Sequence, residues 1–71
     1  MTVEVEAYSG FKADERPLRF RLGDRWLAVE EVADRWYDPD GIYFRVRAED
    51  GNMYILRHRG EVWTLEAFRK G

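Results

Sequence analysis

Seventy-one residues with no cysteine, 12 basic and 14 acidic side chains and a formal net charge of −2 read as one small domain that no disulfide or thiolate-bound zinc can staple. A chain this short buries only about 60% of its unfolded surface, so three Trp, four Tyr and four Phe must supply much of the core bulk. The near balance of charge argues against the basic funnel of a typical nucleic-acid binder. The acidic, alternating start Met1–Glu6 and the lack of any long apolar run point away from a signal peptide or membrane span and towards a cytoplasmic protein.

Val3, Val5 and Ala7 alternate with Glu4, Glu6 and Tyr8, the pattern of a half-buried first strand. Ser9 to Glu15 is polar and Gly-containing and reads as a loop, with Phe11 as a lid residue. Pro17 opens the second strand, where its missing N–H does least harm. Gly23-Asp24 is a two-residue turn that sets Phe20 against Leu27 and Leu18 against Val29 on the core side, with Arg21 against Trp26 on the other.

Val29 to Tyr37 reads two ways. Val29, Val32, Ala33 and Trp36 have helical spacing. A bulge at Glu30-Glu31 instead restarts alternation with Val32, Asp34 and Trp36 on one side. The stretch lacks the N-cap chemistry that a short helix wants just after a strand, so the bent strand is the better fit. Asp38-Pro39-Asp40-Gly41 is a turn by composition.

The closing strands take their register from their turns. With Asp50-Gly51 as a two-residue turn, Val46 faces Ile55, Ala48 faces Met53 and Phe44 faces Arg57. A slip that set Arg45 opposite Arg57 would be repulsive and would exchange the two faces. A three-residue turn, Arg59-Gly60-Glu61, then sets Ile55 against Leu65, Met53 against Ala67 and Arg57 against Trp63.

The fold expected is all-β: a small antiparallel meander of five or six strands curled into an SH3-like or partly open barrel. Its expected core is Leu18, Phe20, Leu27, Val29, Phe44, Val46, Ile55, Trp63 and Leu65, with Val3 and Val5. The alternative is α+β, with one short helix at 29–36.

These registers leave a second face of Tyr43, Arg45, Arg47, Tyr54, Leu56 and His58, bordered by Val62, Thr64 and Glu66 and extended by Arg19, Arg21 and Trp26. Tyr, Trp and Arg are the residue types enriched at protein interfaces. They also build single-strand nucleic-acid platforms, where rings stack on bases and Arg follows phosphates. Against both readings stands ordinary cross-strand pairing: Arg47 with Glu66, and Arg19 or Arg21 with Glu4 or Glu6. The face could also be covered by the Phe11 loop or the Trp36 segment within a closed barrel.

Catalytic chemistry finds little to work with. His58 is the only histidine and Ser9 the only serine, and Ser9 lacks the sharp Gly-flanked turn of a hydrolase nucleophile. Asp38 and Asp40 suit turn roles, and neither they nor Glu30, Glu31 and Asp34 have the spacing of a calcium loop. The glycines are scattered singly, so there is no phosphate loop. The expectation is a non-enzyme without cofactor or metal, a monomer or weak dimer. Its partner is expected to be a protein or peptide, with single-stranded nucleic acid as the alternative.

The blocks Glu15-Arg16-Pro17-x-x-Phe20, Val29-Glu30-Glu31-Val32-x-Asp34-Arg35-Trp36, Tyr43-Phe44-Arg45-Val46, Asp50-Gly51, Tyr54-x-Leu56-Arg57 and Trp63-x-Leu65 resemble a family of small bacterial domains of unassigned activity. Members of that family occur alone, and similar sequences sit beside proteins of the Y-family DNA polymerase type. The resemblance implies an all-β module of unassigned activity with an accessory role near DNA repair, reached here by association with other proteins, and it offers no catalytic residues to carry over.

Overall fold

The computed structural model describes residues 1–9 and 15–71; the expected lid residue Phe11 lies outside them. Six antiparallel strands follow one another in space as in sequence: β1 (Val5–Ser9), β2 (Glu15–Leu22), β3 (Arg25–Asp38), β4 (Gly41–Ala48), β5 (Met53–Arg59) and β6 (Val62–Arg69). The meander is curled into a half-barrel. Among the described residues there is no helix, and so none long and apolar enough to cross a membrane.

The bent strand, not the helix, occupies 29–36. Arg25–Ala28 pair with β2 and Val29–Asp38 with β4, so β3 belongs to both halves of the sheet. The expected bulge is present, with Glu30 as the extra residue between Val29 and Glu31, but a second follows at Ala33. The second bulge parts Val32, which pairs with Val46 on the core side, from Asp34 and Trp36, which pair with Arg45 and Tyr43 on the outer side. The expected grouping of those three on one side is therefore corrected. Each bulge adds bend and twist, and together they fold the sheet back on itself.

The Gly23-Asp24 turn and the Phe20–Leu27 and Arg21–Trp26 pairs are as expected. Leu18 is not. A bulge sets Arg19 against Glu6 and Pro17 against Ala7, so Pro17 takes the buried place while Leu18 is 44% exposed. The β2–β3 ladder ends at Arg19–Ala28, and the Leu18–Val29 pair is not made.

The β4–β5 register is one residue away from expectation. Observed pairs are Phe44–Leu56, Arg45–Ile55, Val46–Tyr54 and Arg47–Met53. The cause is a three-residue loop, Glu49-Asp50-Gly51, closed by the Gly51 amide donating to the Ala48 carbonyl (2.9 Å) and the Ala48 amide to that of Asn52 (3.0 Å). This is a type I turn followed by a left-handed residue, and Gly51 supplies the required φ of +84°. Asp50 holds it by accepting the Asn52 amide (3.0 Å) and the Tyr54 hydroxyl (2.5 Å). Arg45 lands opposite Ile55 and Arg57 opposite Tyr43, so the feared repulsion does not arise. Tyr54 and Leu56 turn into the core, and Ile55 and Met53 turn outward.

The β5–β6 turn is two residues, Gly60-Glu61, between paired Arg59 and Val62. Trp63 therefore faces His58 and Leu65 faces Leu56, in place of Arg57 and Ile55. A bulge at Glu66 then sets Ala67 against Ile55, in place of Met53. The two one-residue differences compensate, and Trp63 and Leu65 remain inside.

The core comprises Val3, Phe20, Leu27, Phe44, Val46, Ala48, Tyr54, Leu56 and Trp63, with Val5, Ala7, Leu22, Val29, Ile42 and Leu65 packed against it. Phe20 of β2 meets Tyr54 of β5 edge-on with ring centroids 4.9 Å apart, a contact between strands distant in the sheet order. The N-terminus ties the ends together: Val3 N–H donates to Trp63 O (3.0 Å), Leu65 N–H to Met1 O (2.7 Å) and Arg21 N–H to Glu4 O (2.9 Å). The first residues thus pass from β6 to β2 and cover edges that would otherwise stay unpaired.

Candidate binding face

Cross-strand partners share a face, so the outer side of β3–β6 follows from the registers. One row is Trp36, Tyr43, Arg57 and Thr64; the next is Asp34, Arg45, Ile55 and Ala67; the third is Glu31, Arg47, Met53 and Arg69. Of the expected face, Tyr43, Arg45 and Arg47 come together here. Tyr54 and Leu56 do not: at 2% and 0% exposure they are core residues. His58 lies on the core side, half-buried, its ring stacked on Trp63 at 4.1 Å and 9°.

Met53, Ile55, Ala67 and Phe68, with Arg45 and Arg69, line a shallow hollow of about 200 Å³. Beside it Trp36 and Tyr43 stack in parallel, 5.4 Å between centroids and 4° between planes. Sequence reasoning missed Met53, Ile55 and Arg57 because the expected two-residue turn inverted β5, and Ala67 because of the bulge at Glu66. The available signal was Asp50 followed by Gly51 and Asn52, which suits an Asx-supported three-residue loop.

Three of the four arginines of this face, Arg45, Arg47 and Arg57, are held by carboxylates. Arg45 approaches Asp34 at 3.8 Å, and Arg47 approaches Glu30 at 3.8 Å and Glu31 at 3.4 Å. Arg57 approaches Glu66 at 3.7 Å, and Thr64 donates a hydrogen bond to the same carboxylate at 2.7 Å. The expected Arg47–Glu66 pair is therefore replaced by Arg47 with the β3 acids. Such pairs, a third to a half exposed, are each worth about 0–1 kcal/mol. They fix side-chain direction more than they stabilise the sheet.

Arg19, Arg21 and Trp26 form a second group on the outer side of β1, β2 and the start of β3. Arg19 donates to Glu6 at 2.6 Å and lies over the Trp26 ring at 4.7 Å. Arg21 reaches Glu4 at 3.3 Å and the Gly23 carbonyl at 3.0 Å. The hydrogen bond to Arg19 lowers the Glu6 pKa and raises that of Arg19. The pairing of Arg19 and Arg21 with the first-strand acids is as the sequence suggests.

Among the described residues no group of three or more His, Cys, Asp or Glu is arranged to hold a metal ion. Searches against family models, curated proteins and solved structures give no match to the chain. The reading of its function rests on the face itself.

Proposed function

We propose that this chain is a cytoplasmic, non-enzymatic protein-interaction module that engages its partner through the outer face of β3–β6. The observation that carries this reading is the apolar hollow of Met53, Ile55 and Ala67 between Arg45 and Arg69, set in an otherwise charged surface. An apolar anchor ringed by polar groups is the usual anatomy of an interface centre. The stacked Trp36–Tyr43 pair adds rigid aromatic area at its edge. The carboxylates beside Arg45, Arg47 and Arg57 offset the positive field that a phosphate backbone would need, which favours protein over nucleic acid. The family resemblance supports an accessory role beside DNA-repair proteins.

Ile55→Glu places a carboxylate in the hollow while leaving the inward-facing residues in place. Recovery of bound protein from a lysate of the parent cell should fall about tenfold or more, the loss of one central anchor. Circular dichroism and the urea midpoint should stay near wild type. Unaltered recovery removes this face. Binding of a single-stranded oligonucleotide at about 10 µM or tighter, weakening steeply with salt, would replace the protein reading with the nucleic-acid one.

A further inference from the structure

We propose that the seam where β3 leaves β2 receives an extended, carboxylate-bearing segment of a partner protein by strand addition, separately from the outer face. Beyond Arg19–Ala28 the two strands no longer pair. From Glu31 to Asp38, β3 is bonded to β4 on one side only, and among the described residues no strand lies along its other side. The Arg35 amide donates instead to the side chain of Asp34 at 2.8 Å, a local substitute for a missing strand. An unpaired edge of this length is the structural requirement for recognition by strand addition.

The walls of the seam specify what enters. Arg16 of β2 and Arg35 of β3 share a hollow of about 320 Å³ with Val32, Asp34 and Phe44, and Leu18 and Val29 continue the apolar lining beside it. Glu30, Glu31 and Asp34 border the seam but are engaged by Arg47 and Arg45. Arg16 and Arg35 lie near the rings of Tyr8 and Tyr37, and among the described residues neither makes an ion pair. The fitting occupant alternates apolar side chains, set on the exposed Leu18 and Val32, with carboxylates that reach the two arginines. A second copy of the chain fits less well. Its edge carries the same Arg16 and Arg35, so like charges would meet across the seam.

The test uses a blocked peptide alternating valine and aspartate and its lysine-for-aspartate counterpart, titrated into the ¹⁵N-labelled chain. The aspartate peptide should shift the amides of Leu18, Val32, Arg35 and Tyr37 and slow hydrogen exchange at the last two. Arg16→Glu with Arg35→Glu should weaken it about tenfold or more, the loss of charge-assisted bonds, and should let the lysine peptide bind in its place, which a merely structural loss would not do. The proposal fails if no shift occurs at about 1 mM peptide, or if both peptides bind the wild type equally. It fails also if shifts are confined to Met53 and Ile55, which would favour the outer face alone. Protection of Arg35 and Tyr37 that grows with protein concentration and without peptide would make a second copy the occupant and likewise overturn it.

Discussion

Tyr54 has its ring in the core and its hydroxyl on a carboxylate, and the pair it makes with Asp50 ties the β4–β5 loop to the packing beneath it. Burial pushes the Asp50 carboxyl up, but hydrogen bonds from the Tyr54 hydroxyl and from Asn52, with the charge of Arg25, outweigh it and leave the pKa below its ordinary 3.8. A carboxylate with a depressed folded pKa adds stability that is present above its unfolded pKa and is lost as pH falls through the folded one. Tyr54 is raised above its ordinary 10.0, first by burial and then by the bond to Asp50. Its contribution holds below that pKa and fades as pH climbs through the folded value. Asp50→Ala should cost about 2 kcal/mol at pH 7, since it removes the charge-assisted bonds that the Tyr54 hydroxyl and Asn52 donate. In urea titrations the gap from wild type should narrow as pH falls below the ordinary Asp value. A gap equally wide in acid would mean that the carboxylate's charge contributes nothing. Tyr54→Phe should cost about 1 kcal/mol and flatten the alkaline limb of the wild-type curve.

Turns and bulges decide which side chains a strand presents, and their own requirements are testable. Gly51 has φ +84° and nothing within 4 Å of an added Cβ, so Gly51→Ala pays only for the left-handed backbone, about 1–2 kcal/mol. Gly41 has φ +133° and an added Cβ would lie 2.6 Å from the His58 carbonyl oxygen. Gly41→Ala must also move a neighbouring strand and should cost about 3 kcal/mol or more. Equal urea midpoints for the two variants would show that the β4–β5 approach at Gly41 gives way easily.

This same level marks how far the sequence could be read. Alternation along β4 placed Phe44 and Val46 inside and Tyr43, Arg45 and Arg47 outside, because a strand's period of two is a local property. The registers of β5 and β6 depended on whether each loop held two residues or three. That choice turns on hydrogen bonds such as Asp50 to Asn52 and Tyr54, which composition does not display. The bulges at Leu18, Ala33 and Glu66 escaped notice for a related reason. Each answers a demand of the closed sheet, not of its own neighbours in sequence. Half of the binding face was therefore legible, and its apolar centre was not.

At the scale of the whole molecule, a domain this small has little stability to spare, so the contacts that close the half-barrel carry disproportionate weight. Val3 is buried among strands it does not follow in sequence, and the backbone on either side of it bonds to β6 and β2. Leu18, equally apolar in sequence, is 44% exposed on a bulge. Val3→Ala should cost about 2 kcal/mol, which for a domain of this size lowers the melting temperature by about 10 °C. Leu18→Ala should stay within about 0.5 kcal/mol, as exposed substitutions do. Hydrogen exchange separates a general loss from a local one. If the N-terminal run closes the barrel, the Leu65 amide, which donates to Met1 O at 2.7 Å, should lose more protection in the Val3 variant than the Val46 amide of β4. Uniform loss across β4 and β6 would make Val3 an ordinary core residue and leave the closure without a separate energetic role.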